Sequence, residues 1–348
     1  MGEYDQGTMY DDLGRKYERG DGVVQSDVEA ARWYAQAAQH GNTHAQHSLG
    51  ILFEAGRGVE QSAAQAAHWY RMAADQGDAR AQWRLAVLYK KGNGVPQDLE
   101  EAARLFRLAA DQGLTDAQLD YGVLCFGGLG MAKRPEEAVA WFRAAAKHRH
   151  AAAEFNLGLC YERGEGVEQS FVTAAHWFRL AAVQGHSGAQ VEIGDMCLKG
   201  RGVERSDTEA ARWFRLAAEA GLSSGQFNLG VLYANGRGVT RSDAEALRWY
   251  RLAAVQGLAA AHNALGWFFE EGRSVEQSDA EAVRLYRLAA DAGLPPAQCN
   301  LARMYELGRG VEASCDEAAA WYKRAADAGN RLAQEALRRL QEADTAES

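Results

Sequence analysis

Proline is scarce, at 4 in 348 residues, so little in the chain interrupts a helix. No continuous apolar run reaches the roughly 18 residues that a membrane-crossing helix needs, which excludes membrane insertion by a helix. The opening Met1-Gly2-Glu3-Tyr4-Asp5-Gln6 lacks the basic and apolar parts of a secretory leader. Gln6 also stands where a myristoylation signal carries Ser or Thr. The 5 cysteines are odd in number and irregularly placed. They do not make a disulfide framework, and they point to a reducing compartment, with a cytoplasmic location as the expectation. Basic residues are outnumbered, 38 Lys and Arg against 47 Asp and Glu, for a net charge of -9. An acidic chain repels phosphate backbones unless a basic face is segregated, so no nucleic-acid partner is expected.

What the chain does have is a period. Trp33, Trp69, Trp141, Trp177, Trp213, Trp249 and Trp321 share one 36-residue register, and Leu105 and Leu285 fill its two gaps. Gly20, Gly56, Gly92, Gly128, Gly164, Gly200, Gly236, Gly272 and Gly308 keep the same spacing. Nine units follow without insertion or deletion: 6–41, 42–77, 78–113, 114–149, 150–185, 186–221, 222–257, 258–293 and 294–329. Residues 330–342 repeat only a first helix and suit a C-terminal cap. Tyr4 to Leu13 has no such cap and is expected to fray.

Each unit reads as two helices. In the seventh, Gly225 to Tyr233 carries the first helix, and Gly236 and Gly238 end it, since glycine takes the left-handed conformation without a Cβ clash. Ser242 and Glu245 then form a capping-box pair that opens the second, whose apolar stripe is Ala246, Trp249, Tyr250, Ala253 and Ala254. The same pair recurs at Ser26/Glu29, Ser206/Glu209, Ser278/Glu281 and Ser314/Glu317, with Ser62/Gln65 as the amide version. One helix pair cannot bury its own apolar face, so units must stack, and small Ala and Gly columns let them approach. The seven register tryptophans are expected in that core, and Trp177→Ala is expected to cost about 3–5 kcal/mol.

The pattern Ala-x-x-x-Leu-Gly-x-x-Tyr-x-x-Gly-x-Gly-Val, then Ala-x-x-Trp-Tyr-x-x-Ala-Ala-x-x-Gly, resembles the Sel-1-like repeat family, a relative of the tetratricopeptide repeat. The seventh unit carries it at Leu229, Gly230, Tyr233, Gly236, Gly238, Val239, Ala246, Trp249, Tyr250, Ala253, Ala254 and Gly257. The resemblance covers nearly the whole chain. It implies an all-α, right-handed αα-superhelix, one solenoid over residues 1–348 of nine helix-turn-helix repeats and a cap helix. It also implies a scaffold or adaptor role with a protein or peptide partner. The fourth unit departs most, with Gly128-Leu129-Gly130-Met131-Ala132-Lys133-Arg134-Pro135 in place of the usual loop. Pro135 is tolerated at a helix start, where its missing N–H would be unpaired anyway.

Columns that define the repeat explain the fold, so function is sought in columns that vary. On the first helices, Ala153, Leu157, Cys160 and Tyr161 share the packing side at 100° per residue. Phe155 and Leu159 point away from it, toward the inner surface. Read along the chain, their columns are His47, Trp83, Leu119, Phe155, Val191, Phe227, Asn263 and Cys299, then Ile51, Val87, Val123, Leu159, Asp195, Val231, Trp267 and Arg303. An apolar strip rimmed by Arg84, Asp120, Glu192, Asn156, Asn228 and Asn300 fits a groove for an extended peptide or an amphipathic helix. The proposed groove residues are Trp83, Val87, Leu119, Val123, Phe155, Asn156, Leu159, Val191, Phe227, Asn228, Val231, Trp267 and Asn300. The alternative is that these side chains pack against the neighbouring unit and the asparagines bond their own backbone.

No catalytic residue, cofactor site or metal site is expected. His40, His44 and His47 are close in sequence, as are His148 and His150, but neither group brings Cys or carboxylate ligands at zinc spacing, and surface histidines are the expectation. Cys125, Cys160 and Cys197 fall in core columns and read as inert thiols, and Cys315 near a helix N-terminus has no identified base. The arginine pairs Arg212/Arg215, Arg248/Arg251 and Arg284/Arg287 follow Glu209, Glu245 and Glu281 and are expected in i,i+3 ion pairs on a solvated face. Two other readings are disfavoured. β-Lactam binding or hydrolysis belongs to cysteine-rich relatives with a regular cysteine pair per repeat, which this chain lacks. RNA binding would call for a basic groove, and the inner columns are apolar or acidic. Self-association through the solenoid ends stays open. So does a recent or consensus origin of the uniform repeats, with little evolved ligand specificity.

Overall fold

The computed structural model describes residues 5–347, with side chains through residue 340. Among the described residues every regular element is a helix, which makes the protein an all-α helical-repeat solenoid. The chain resolves into two compact units, one ending at Ser170 and one starting at Phe171. The first contains α1 (Gln6–Arg19), α2 (Asp27–Gln39), α3 (Thr43–Ala55), α4 (Ala63–Asp75), α5 (Ala79–Lys91), α6 (Leu99–Asp111), α7 (Thr115–Gly127), α8 (Pro135–Ala146) and α9 (Ala151–Arg163). The second contains α10 (Phe171–Val183), α11 (Ser187–Lys199), α12 (Asp207–Glu219), α13 (Ser223–Asn235), α14 (Asp243–Val255), α15 (Ala259–Glu270), α16 (Asp279–Asp291), α17 (Pro295–Leu307), α18 (Cys315–Asp327) and α19 (Arg331–Glu347). Odd-numbered helices are the first helices of their repeats. Within each unit a helix packs on the next one in sequence.

Both ends differ from the sequence expectation. Gln6 to Leu13 is helical rather than frayed: Asp5 caps α1 by accepting from the Gly7 N–H at 3.4 Å, and Asp11 and Gly14 are buried. Tyr4 lies outside the described residues. The terminal helix α19 runs to Glu347, past the expected end at residue 342.

Local chemistry explains the helix limits. Ser26, Ser62, Ser206, Ser242, Ser278 and Ser314 each accept from the backbone N–H three residues on, at 3.2–3.3 Å. This is half of the expected capping box. The reciprocal half is absent, because the N-cap N–H is already taken by the preceding first helix: Ser242 N–H donates to the Tyr233 carbonyl at 3.0 Å, and Ser278 to Phe269 likewise. The freed Glu29, Glu209, Glu245 and Glu281 turn outward to arginine. At the other end, Gly236 caps α13 in the left-handed region. Two residues on, a Cβ at Gly238 would sit 2.0 Å from the Asp207 carbonyl oxygen, so in this repeat the loop lies this close to the start of α12 only because the residue is glycine. The eighth repeat places Ser274 there at φ 55, and the fourth places Arg149 at φ 57 where other repeats end their second helix on glycine. Pro135 occupies the first turn of α8 as expected.

The interior is a column of aromatic rings, but not the tryptophan column. Tyr34, Tyr70, Phe106, Phe142, Phe178, Phe214, Tyr250, Tyr286 and Tyr322 are buried to 4 % exposure or less. Each of six rings lies on a first-helix glycine; a Cβ at Gly230 would meet the Tyr250 ring at 2.7 Å, and one at Gly50 the Tyr70 ring at 2.5 Å. Of the register tryptophans only Trp249 and Trp321 are buried, and Trp33, Trp69, Trp141, Trp177 and Trp213 are half-buried. The tryptophan register thus marks the edge of the core, and the neighbouring Tyr or Phe is its centre. Trp177→Ala therefore loses less than a core cavity.

The interior also holds a polar ladder. Buried glutamines at Gln46, Gln82, Gln118, Gln190, Gln226 and Gln298 donate to the second-helix carbonyl eight residues back, for example Gln46 Nε2 to Ala38 O at 3.1 Å. Three of their side-chain oxygens accept from a glutamine 30 residues on: Gln76 to Gln46 at 2.7 Å, Gln112 to Gln82 at 2.8 Å and Gln256 to Gln226 at 2.9 Å. The other three, on Gln118, Gln190 and Gln298, have no partner. In each of those repeats the donor position holds His148, Ala220 or Ala328 instead.

Candidate functional site

In the first unit, the first-helix columns bring Trp83, Val87, Leu119, Val123, Phe155, Asn156 and Leu159 to a half-buried state. They are neither core nor fully open. Trp83 is fixed by its indole N–H, which donates to Asp120 Oδ2 at 2.9 Å, and the Arg84 guanidinium lies 5.3 Å from its ring centre. Asp120 also holds Lys90 at 3.2 Å, and Arg84 pairs with Glu54 at 3.3 Å. Asn156 donates to the Ala152 carbonyl at 2.9 Å in its own helix, so its amide is engaged by backbone as the alternative reading expected.

In the second unit, Val191, Phe227, Asn228, Val231 and Asn300 are half-buried, and Trp267 is 43 % exposed. Phe227 and Val231 lean on the core cluster around Tyr250, with the Phe227 and Tyr250 ring centres 5.6 Å apart. Here internal packing accounts for part of the strip. Arg273 lies 4.4 Å from the Trp267 ring centre, a cation–π arrangement that leaves the indole standing proud. Asn300 donates to Asn263 at 3.0 Å. Asn300, Arg303, Glu306, Leu307 and Arg339 help to line a depression of about 390 Å³ beside α19.

Glu270 is the buried charge of this unit. Its carboxylate accepts from the Tyr286 hydroxyl at 2.8 Å, from both terminal nitrogens of Arg303 at 2.7 Å and from Arg309 at 2.9 Å. Burial alone would push its carboxyl up, but the hydrogen bonds from Arg303 and Tyr286 and the charges of Arg303 and Arg309 hold it below its ordinary value. Every strong acceptor direction is used, so the group reads as a structural knot and not as a free base.

The remaining reactive side chains are accounted for in the same way. Cys125, Cys160 and Cys197 are buried, as their columns implied, and burial pushes the Cys160 thiol to about 12 and the Cys197 thiol to about 11. Such thiols are poor nucleophiles. Cys315 is exposed. Among the described residues no group of three or more His, Cys, Asp and Glu side chains is placed to hold a metal ion. His44 pairs with Asp11 at 2.7 Å, while His47, expected at the surface, is buried, and that burial lowers its basicity. On the second helices, Glu245–Arg248 at 3.3 Å and Glu281–Arg284 at 2.6 Å form as expected. Glu209 does not pair with Arg212; it meets Arg179 of the preceding repeat at 3.0 Å, and the Trp213 indole N–H at 3.4 Å. No helix among the described residues is long and apolar enough to cross a membrane.

No curated protein matches the chain. Among solved structures, a Sel1 repeat protein from Oxalobacter formigenes is 30% identical over 89% of this chain and 89% of its own, with a TM-score of 0.67. A protective antigen present in uropathogenic Escherichia coli strains, which displays an SLR fold, is 29% identical over 98% of this chain and 88% of its own, with a TM-score of 0.59. The Sel1 repeat model matches residues 10–42, 43–78, 79–114, 115–150, 151–186, 187–222, 223–258, 259–294 and 295–330. With nine matched repeats, each beginning within a few residues of the period read from the tryptophans and glycines, the chain belongs to the Sel1 repeat family.

Proposed function

We propose that this chain is a non-catalytic protein-interaction scaffold that takes an extended peptide or a helix of a partner on its first-helix faces. Membership of the family supports the scaffold role in general, and the family is generally non-catalytic. The finer reading rests on one observation. The fold fills its core with the Tyr/Phe column and its glycines, yet Trp83, Leu119 and Phe155 in the first unit and Phe227, Val231 and Trp267 in the second remain partly accessible. Large aromatic and aliphatic groups at that level of exposure supply anchor energy to a partner that finishes burying them. Phe227 and Val231 contribute less of it, because they already rest on the core.

The test is a pull-down from source lysate with three baits: wild type, Trp83→Ala/Phe155→Ala and Phe227→Ala/Trp267→Ala. Circular dichroism melts check that each bait is folded. Proteins held by wild type and lost from one variant place the site on that unit's first helices. Retention of the same proteins by both variants overturns the reading.

A further inference from the structure

The second helices carry an arginine column that the first repeat lacks. Arg71, Arg107, Arg143, Arg179, Arg215, Arg251 and Arg287 stand 36 residues apart, Lys323 follows, and Ala35 opens the series. Four of these arginines donate to a first-helix tyrosine of the next repeat: Arg71 to Tyr89, Arg143 to Tyr161, Arg215 to Tyr233 and Arg287 to Tyr305. The guanidinium thus sets a charged group on the cleft wall, and Arg143 and Tyr161 flank a depression of about 520 Å³ that is lined largely by polar residues. Between the first two repeats both partners are missing together, since Phe53 occupies the tyrosine position opposite Ala35.

A depression of about 340 Å³ lies here between α2 and α4, with no arginine in the place of Ala35. Ala31, Ala35, Phe53, Val59 and Trp69 form its apolar wall, and Arg32 stands at its rim. At the matching place two repeats further on, Arg104 stands where Arg32 does, but Arg107 replaces Ala35 and Glu100 replaces Val28, and the depression is about 260 Å³. Arg32 has a side chain 71% exposed and meets Glu29 only at 3.8 Å. No carboxylate lines the depression. Arg32, loosely paired with Glu29 on the solvated face, is the charged side chain in the lining of this apolar hole. Small-molecule sites generally run from about 300 to 1,000 Å³ and enclose their ligand. An open cleft at the lower end of that range suits one inserted side chain.

We infer that this cleft docks a segment of a partner protein that inserts a leucine or aromatic side chain beside Trp69 and Phe53 and sets a neighbouring carboxylate on Arg32. The apolar wall supplies the affinity, and the charge selects acidic over basic segments. The site is on the opposite helix set from the first-helix strip, so the two can be occupied independently.

The test uses the full chain, isotope-labelled, with three capped tetrapeptides as probes: Glu-Leu-Phe-Glu, Lys-Leu-Phe-Lys and Glu-Gly-Gly-Glu. Amide shifts of Ala31, Ala35 and Val59 and the Trp69 indole signal are followed by NMR to about 5 mM peptide, a range that reads the millimolar affinity of a single anchor. The first probe is expected to move these signals saturably. Ala35→Arg restores the arrangement of the other repeats and is expected to weaken it at least about tenfold, as is Arg32→Glu at the exposed rim. The lysine probe is expected to bind at least about tenfold more weakly and the glycine probe not at all. Absence of shifts with the first probe, equal binding by Ala35→Arg, or equal binding of the lysine probe overturns the inference. Light scattering adds a further arm: a concentration-dependent dimer abolished by Ala35→Arg assigns the cleft to a second copy and overturns the acidic-segment reading.

Discussion

The second and third repeats in the first unit and the eighth and ninth in the second share one backbone plan but use it differently. Tyr70 donates to Glu54 at 2.7 Å, and Tyr286 donates to Glu270 at 2.8 Å, at equivalent positions. Glu54 stays half-buried with a single arginine at 3.3 Å. Glu270 is 3 % exposed and held by two arginines, one of them bidentate. The difference comes from the next repeat. Arg303 occupies a column that holds Val87 in the third repeat, and it can reach back to the carboxylate. The glutamine ladder varies inside each unit: Gln46 and Gln82 in the first and Gln226 in the second have their donors, while Gln118 in the first and Gln190 and Gln298 in the second do not. Repeat geometry therefore fixes which positions face each other, and the residue one repeat away decides whether a polar group there is satisfied.

The largest effects should be common to both units. Phe106→Ala and Phe178→Ala remove fully buried rings and are expected to cost about 3–5 kcal/mol each. Trp177→Ala, at a half-buried ring, is expected to cost roughly half as much. Denaturant melts of the full chain measure all three, and a Trp177→Ala loss equal to that of Phe178→Ala would return the tryptophans to the core.

Glu270→Ala comes next and should separate the units. It strands the buried Tyr286 hydroxyl and two arginine heads that are about one third exposed, for about 2–3 kcal/mol. Glu54→Ala, with a solvated pair, is expected to cost about 1 kcal/mol or less. The pH dependence has a definite sign. A carboxylate held below its ordinary value in the folded state adds stability above its unfolded value, about 4.3, and loses it as pH falls through the folded value. The stability gap between wild type and Glu270→Gln should thus be full at neutral pH and narrow on acidification from there. A constant gap from neutral to acid would contradict the ion-pair account.

The smallest effects repair the ladder. Ala220→Gln and Ala328→Gln place a donor 30 residues after Gln190 and Gln298, as Gln112 does for Gln82. Each is expected to stabilise by about 0.5–1.5 kcal/mol, the net worth of one hydrogen bond to a buried acceptor. Melting temperatures that fall would show that the exposed end of the added side chain does not reach.

The site was less legible than the fold for a reason visible in single residues. Period alone identified the inner columns, but a period of 36 assigns Phe227 and Trp267 the same kind of place, and only packing separates a ring leaning on Tyr250 from one 43 % exposed. The capping serines were read from spacing, whereas the competing Tyr233 and Phe269 carbonyls lie on another helix and leave no local signature. The Ala35 exception is written in the sequence, yet it carries no meaning until Arg71 is seen covering Tyr89.

The sequence by itself determined the helix pairs, the limits of the internal helices, the repeat number and the family, because caps, glycines and apolar period are local and recur nine times. Only the tertiary structure decided that the Tyr/Phe ring and not the tryptophan fills the core, that Glu270 is buried among arginines, and that a cleft stands open beside Ala35. Those outcomes depend on contacts between residues one repeat apart, where the strength of a polar or apolar group is set by what its neighbour leaves exposed to water.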